Sequence, residues 1–227
     1  MVGPRLARWF TVHAIDRRGR GASGETLPYS IEREFEDIAA VAETLAGATR
    51  RPVPVFGHSY GGRCALGAAL AGERVGRVIC YEGAPAPPGS SYEPGELRDD
   101  LRARLAAGDL DGLLAAFMTR IVGMSTADLA AYRTHPIWPV RVAAAGTIPR
   151  ELDAEADAAG SLERLGTVRR PVLQLLGSDS RAIFREATIA LDGRLAEGRI
   201  VEIAGARHAA HHTHPDVVVE AVRAFLA

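Results

Sequence analysis

Lysine is missing from this chain. All 27 residues counted as Lys+Arg are arginine, set against 28 acidic residues, for a formal net charge of −1 over 227 residues. Such a balance gives no electrostatic reason to expect nucleic acid or an anionic membrane as a partner. Cysteine is scarce too. Cys64 and Cys80, each in apolar surroundings, make no disulfide framework and read as buried reduced thiols. No apolar run approaches the ~20 residues that a membrane span needs, and "MVGPRLARWF" has neither the h-region nor the cleavage pattern of a secretory signal. The expectation is a cytoplasmic protein with a small-molecule substrate, working as a monomer or homodimer.

What is present is an ordinary globular composition, 47% hydrophobic and 24% charged, long enough for one large domain. Five short, apolar, β-branched runs predict strands: residues 10–15, 53–57, 77–81, 171–177 and 199–204. Several are nearly continuous rather than alternating, as in parallel strands covered on both faces. Helical patterns lie between them. Residues 31–47 place Ile31, Phe35, Ile38, Val41, Ala42 and Leu45 on one stripe and stop at Gly47, and further helices are expected over 61–72, 181–198 and 215–227. This alternation predicts an α/β fold, a mostly parallel doubly wound sheet flanked by helices.

Residues 84–166 break the rhythm. They open with the turn-rich "APAPPGSSYEPGE" and continue as helical pattern, with Ser125 placed as an N-cap and Pro136 as a stop. The segment predicts a helical cap or lid, inserted into a core made of residues 1–83 and 167–227. Its apolar Leu113, Leu114, Phe117, Met118, Ile121, Ile137 and Trp138 suggest an apolar substrate, although such stripes more often pack inward.

Chemistry is concentrated in "GHSYG" at 57–61, which fits G-x-S-x-G directly between a predicted strand and a predicted helix. A serine hydroxyl is a weak nucleophile at neutral pH and needs a base, an acid orienting that base, and donors for the oxyanion. Ser59 is the candidate nucleophile. The Tyr60 backbone N–H at the helix start is the candidate oxyanion donor, and His58 beside it is a candidate pocket residue. His208, on the loop after the last predicted strand, is the candidate base. His211, His212 and His214 crowd the same loop without a clean zinc spacing and read as exposed loop residues, as do His13 and His135 as surface or structural ones. No metal and no cofactor is expected.

Taken in order, "DRRGRGASG" (16–24), "GHSYGG" (57–62), "LLGSDS" (175–180) and "GARHAAHHTHP" (205–215) resemble the α/β-hydrolase-fold proteins of the esterase, lipase and peroxidase-like group. The resemblance spans nearly the whole chain. It implies a serine hydrolase acting on an ester or thioester through an acyl-enzyme, with Arg17, Arg18 and Arg20 mostly structural. It implies an acid at Asp179, in "LLGSDS", or at Glu82, which ends the preceding strand in "VICYEGAP". The commoner family spacing, glycine plus three, falls on Ser180, so both acids stay open. The resemblance also implies an early strand ending in His-Gly whose loop gives the second oxyanion amide. The recorded chain starts too close to "WFTVHAID" to include that strand, and a truncated start is the favoured explanation over a substitute donor or lost hydrolysis. Lactone or C–C hydrolysis, cofactor-free perhydrolysis and a non-catalytic binding role are the alternatives.

Overall fold

The computed structural model describes residues 2–93 and 95–227. Four strands, β1 (Val53–His58), β2 (Val75–Tyr81), β3 (Val172–Gly177) and β4 (Gly198–Ile203), pair in parallel in the order β1-β2-β3-β4. Among the described residues, twelve α-helices accompany them: α1 (Gly3–Leu6), α2 (Ile31–Thr49), α3 (Tyr60–Ala71), α4 (Leu97–Ala106), α5 (Leu110–Arg120), α6 (Thr126–Arg133), α7 (Trp138–Ala144), α8 (Ile148–Ala154), α9 (Leu162–Leu165), α10 (Ala182–Asp192), α11 (Ala210–Thr213) and α12 (Pro215–Leu226). Helices α4 to α9 all fall between β2 and β3, in the segment whose pattern broke the strand–helix rhythm.

The central strands β2 and β3 are buried on both faces, while the edge strands β1 and β4 are partly exposed, and successive side chains enter opposite clusters. Val78, Cys80, Val172 and Leu176 join α2, α3 and α10 in one apolar cluster. Ile79, Tyr81, Leu173 and Leu175 join Leu6 of α1 and Val218, Val219 and Val222 of α12 in the other. The expected strands at 53–57, 77–81, 171–177 and 199–204 are therefore found. The strand order runs forward without reversal among the described residues, and the second face is covered by helices near the two ends of the chain.

The fifth expected strand is not formed. Residues 10–15 carry no strand pairing, and Val12 and Ile15 are exposed. β-Branched composition lets a segment extend, but a strand also needs a neighbour to complete its ladder. Among the described residues nothing pairs with this segment. Two helix ends differ as well. Helix α2 runs past Gly47 to Thr49 and stops where Arg50 turns left-handed at φ 56°, its N–H donating to the Ala46 carbonyl. Helix α10 ends at Asp192 rather than 198, because the chain must turn to bring Gly198 into register with Val172.

Both cysteines are buried free thiols. Burial pushes both thiols up, Cys80 to about 12, so neither is a thiolate at neutral pH. No helix among the described residues is long and apolar enough to cross a membrane.

The contact that sets α3 against α2 is the ring of Phe35 over Gly67. A Cβ at position 67 would fall 2.2 Å from a Phe35 ring carbon, so glycine is what lets the helices approach this closely. Removing the ring opens a cavity between α2 and α3. Phe35→Ala is expected to lower unfolding stability by about 3–5 kcal/mol, read from urea denaturation. A loss under about 1 kcal/mol would show that the two helices do not depend on this contact.

Candidate active site

Strand β1 delivers Ser59 to its carboxyl end, and helix α3 starts on the next residue. The serine backbone sits at φ 55°, ψ −127°, a conformation that costs a non-glycine residue of order 1–3 kcal/mol and is held by its surroundings. Those surroundings are mostly backbone. The Ser59 N–H donates to the Tyr81 carbonyl at 2.8 Å, and the Ser59 carbonyl accepts from Gly62 N–H at 2.8 Å. A Cβ on Gly57 would lie 2.1 Å from the Gly61 carbonyl oxygen, so only glycine allows the strand and helix to fold back this tightly. Tyr60 opens α3, and its N–H belongs to the first turn, where no helical carbonyl can accept from it.

Glu82 leaves β2 next to this turn, itself at a positive φ of 45°. Gly83 follows, and a Cβ there would meet the Ser59 carbonyl oxygen at 2.4 Å. The Glu82 carboxylate is almost fully buried, yet each of its oxygens is occupied. Oε1 accepts from the Gly177 N–H at 2.7 Å and the Ser180 hydroxyl at 2.6 Å. Oε2 lies 2.6 Å from Nδ1 of His208.

His208 is also buried, on the loop after β4, with its ring stacked on Phe184 at 4.3 Å between centroids. The hydroxyl of Tyr81 donates to the Arg207 carbonyl and accepts from the Ala210 N–H at 2.9 Å, clamping the loop on both sides of the imidazole. His58 Nε2 donates to the His208 carbonyl at 2.6 Å. Burial and the neighbouring His208 and His211 hold the His58 imidazole well below the usual histidine range, which keeps it neutral and able to act as this donor. Its ring thus fixes the histidine loop as well as lining the cavity.

Ser59, Tyr60, Glu82, Asp179, His58 and His208 all line one cavity of about 1160 Å³. Asp179 is placed away from the imidazole partner position: its carboxylate accepts from the Ser178 hydroxyl at 2.7 Å, and its N–H donates to the Ala206 carbonyl at 2.9 Å. Of the two acids the sequence leaves open, the structure brings Glu82 to His208. Ser180, which occupies the glycine-plus-three position, contributes a hydroxyl to that carboxylate instead of an acid of its own. Sequence reasoning did not assign Ser180 or Tyr81 a part; the strand-end glycine Gly177, three residues before Ser180, is the signal that could have found the first.

The expected exposed histidines differ from what is seen. His211, His212 and His214 are half-buried and line the cavity, because a short helix, α11, folds the loop back over the site. His13 is exposed, and His135 is exposed at the cavity edge. No group of three or more His, Cys, Asp or Glu side chains among the described residues could hold a metal ion. Of the apolar residues expected to touch substrate, Leu114, Phe117, Met118, Ile121 and Ile137 do line the cavity. Leu113 is core, and Trp138 is buried with its indole N–H donating to Asp111 at 2.7 Å.

Of the arginines of "DRRGRG", Arg17 and Arg20 line the cavity, Arg17 over the Tyr60 ring. Arg17 bridges Glu34 at 2.8 Å and Glu151 at 3.0 Å, Arg20 pairs with Glu151 at 2.9 Å, and Arg18 takes Asp37 through two nitrogens. Burial works against the Arg17 charge, but Glu151 and Glu34 outweigh it and raise the guanidinium above its ordinary range. Burial also pushes the Glu34 carboxyl up against the pull of Arg17. The Tyr60 hydroxyl is 2.8 Å from the Tyr29 hydroxyl, which donates to Glu34 at 2.9 Å. The residue after the serine is thereby tied to α2, and through Arg17 and Glu151 to α8.

Comparison with known proteins places this architecture. A curated relative, pimeloyl-[acyl-carrier protein] methyl ester esterase of Edwardsiella ictaluri, is 28% identical over 225 residues, covering 95% of this chain and 82% of the relative. The crystal structure of an alpha/beta hydrolase from Sphaerobacter thermophilus superposes with a TM-score of 0.78 at 31% identity, over 97% of this chain and 85% of that one. The enol-lactonase from Burkholderia xenovorans shares the fold, with a TM-score of 0.68 at 23% identity over 92% of this chain and 78% of its own. The pattern of the alpha/beta hydrolase family matches residues 2–221, and this chain is a member of that family.

Proposed function

We propose that this hydrolase cleaves an ester or thioester without a cofactor, through Ser59, His208 and Glu82. The observation that carries the reading is the 2.6 Å contact between Glu82 Oε2 and His208 Nδ1, in the same cavity as a serine held at positive φ on a strand-to-helix turn. With Nδ1 engaged by the carboxylate, Nε2 is the imidazole nitrogen left to exchange a proton. The relative from Edwardsiella ictaluri, named as a methyl ester esterase, supports the choice of bond.

In this mechanism the Ser59 hydroxyl oxygen attacks the carbonyl carbon while His208 Nε2 takes the hydroxyl proton. The carbonyl oxygen becomes an oxyanion that accepts a hydrogen bond from the Tyr60 N–H at the start of α3. Collapse of the tetrahedral adduct breaks the bond to the leaving oxygen or sulfur, and the imidazolium returns its proton to that atom. Water then repeats the sequence on the acyl-enzyme and releases the acid. Glu82 fixes the ring orientation and stabilises the imidazolium. Residues 84–166 act as the cap, since α5, α7 and α8 supply cavity walls over Ser59.

Two measurements test the assignment. Ser59→Ala is expected to reduce turnover of a p-nitrophenyl ester by roughly 10⁴–10⁶-fold while leaving the circular dichroism spectrum intact. Unchanged turnover would end the hydrolase reading at this serine. For the acid, Glu82→Gln is expected to lower kcat by about 10³–10⁴-fold, and Asp179→Asn to cost far less. The opposite ranking would move the acid's role to Asp179.

A further inference from the structure

Five arginines line the cavity, and four of them already face a carboxylate. Arg17 and Arg20 meet Glu151 at 3.0 and 2.9 Å, Arg63 meets Glu155 at 3.6 Å, and Arg207 meets Asp128 at 3.6 Å. Arg141, on α7, is the exception. No carboxylate among the described residues lies within the 4.0 Å of a salt bridge; its guanidinium makes one long hydrogen-bond contact, NH2 to His212 Nε2 at 3.5 Å, and lies over the Tyr132 ring at 5.8 Å from the centroid. Its Nε is buried without a hydrogen-bond partner, and so is Nδ1 of His211. A cation with buried, unanswered donors is costly in a folded chain, and the usual remedies are an opposite charge or bound polar group.

The histidines beside it cannot supply that charge. Burial lowers the His211 imidazole to about 3, helped by His212 and Arg141, and burial and Arg141 lower His212 as well. Both rings are neutral at physiological pH, and a neutral ring still carries one N–H. The local field is therefore positive, with donors on α7 and α11 and, among the described residues, no carboxylate paired with Arg141. The apolar Ile137, Val140 and Ala144 share this part of the wall, so the site suits a compact anion at the end of an apolar stem.

We infer that Arg141, with His211 and His212, forms a subsite for a carboxylate on the non-reacting end of the substrate. The preferred ester then carries a negative charge remote from the bond that is cut, rather than being apolar throughout. Arginine suits this task because its planar fork matches a carboxylate in two hydrogen bonds, and the surrounding neutral rings leave its charge undivided. The inference rests on the ester reading for the ligand's other end, at Ser59, and on the cavity alone for the charged end.

Binding can be measured without turnover, in Ser59→Ala protein, by calorimetry with monomethyl succinate, monomethyl adipate and monomethyl suberate against uncharged methyl hexanoate. At least one half-ester is expected to bind about ten-fold or more tightly than methyl hexanoate, or about 1.4 kcal/mol. Adding Arg141→Gln should bring that ratio close to one, and Arg141→Lys should keep part of it. No preference in Ser59→Ala alone overturns the subsite, and so does a preference that survives Arg141→Gln. Because the first comparison uses intact Arg141, a Gln variant that fails to fold does not protect the idea. Failure of wild-type protein to hydrolyse any of the esters would overturn the catalytic reading, and the binding ratio would still decide the subsite.

Discussion

The contact between Glu82 and His208 is the constraint around which the carboxyl end of the sheet is built. A buried carboxylate costs several kcal/mol unless its oxygens are answered. Glu82 is answered by three donors from three places: the end of β3, the turn after it, and the loop after β4. Each donor requires backbone to come unusually close. Gly177 must be bare, because a Cβ there would lie 2.4 Å from the Ala206 carbonyl oxygen; Gly83 must be bare to clear Ser59; Glu82 itself must accept a positive φ. The strain and the glycines follow from placing one carboxylate between two strand ends.

That arrangement also explains why the residues after β3 look unusual. An acid on the β3 turn and an acid at the end of β2 compete for the same imidazole nitrogen, and both could not occupy it ionised. Here the β2 position holds the carboxylate, and the β3 turn offers a hydroxyl, from Ser180, to stabilise it. Asp179 next door engages its carboxylate in a local contact with Ser178 and stays out of the imidazole's partner position.

Much of this was legible in the sequence. Apolar β-branched runs marked the strands, most plainly β2 and β3, where burial on both faces leaves few polar positions to confuse the pattern. The turn around Ser59 was legible because Gly57 and Gly61 announce a close approach. Other features depended on tertiary neighbours that spacing does not encode. Residues 10–15 have strand composition but no partner. Glu82 and Asp179 both end strands, and only the register between β2, β3 and the His208 loop separates them. His211 and His212 sit in a polar, histidine-rich loop that reads as solvent-facing until α11 folds it over the cavity.

The cavity walls carry a second lesson about charge. Arg17, Arg20 and Glu151 form a closed network, tied through Tyr29 and Glu34 to Tyr60, and a closed network fixes geometry without attracting a ligand. Its effect is structural: it holds α8 against the turn that carries Ser59. Arg141 differs because no carboxylate among the described residues lies within salt-bridge distance of it, and its field reaches His211 and His212 instead. A protein that matched its other cavity arginines with carboxylates and left this one unmatched has put its free positive charge where a ligand, rather than the fold, must answer it.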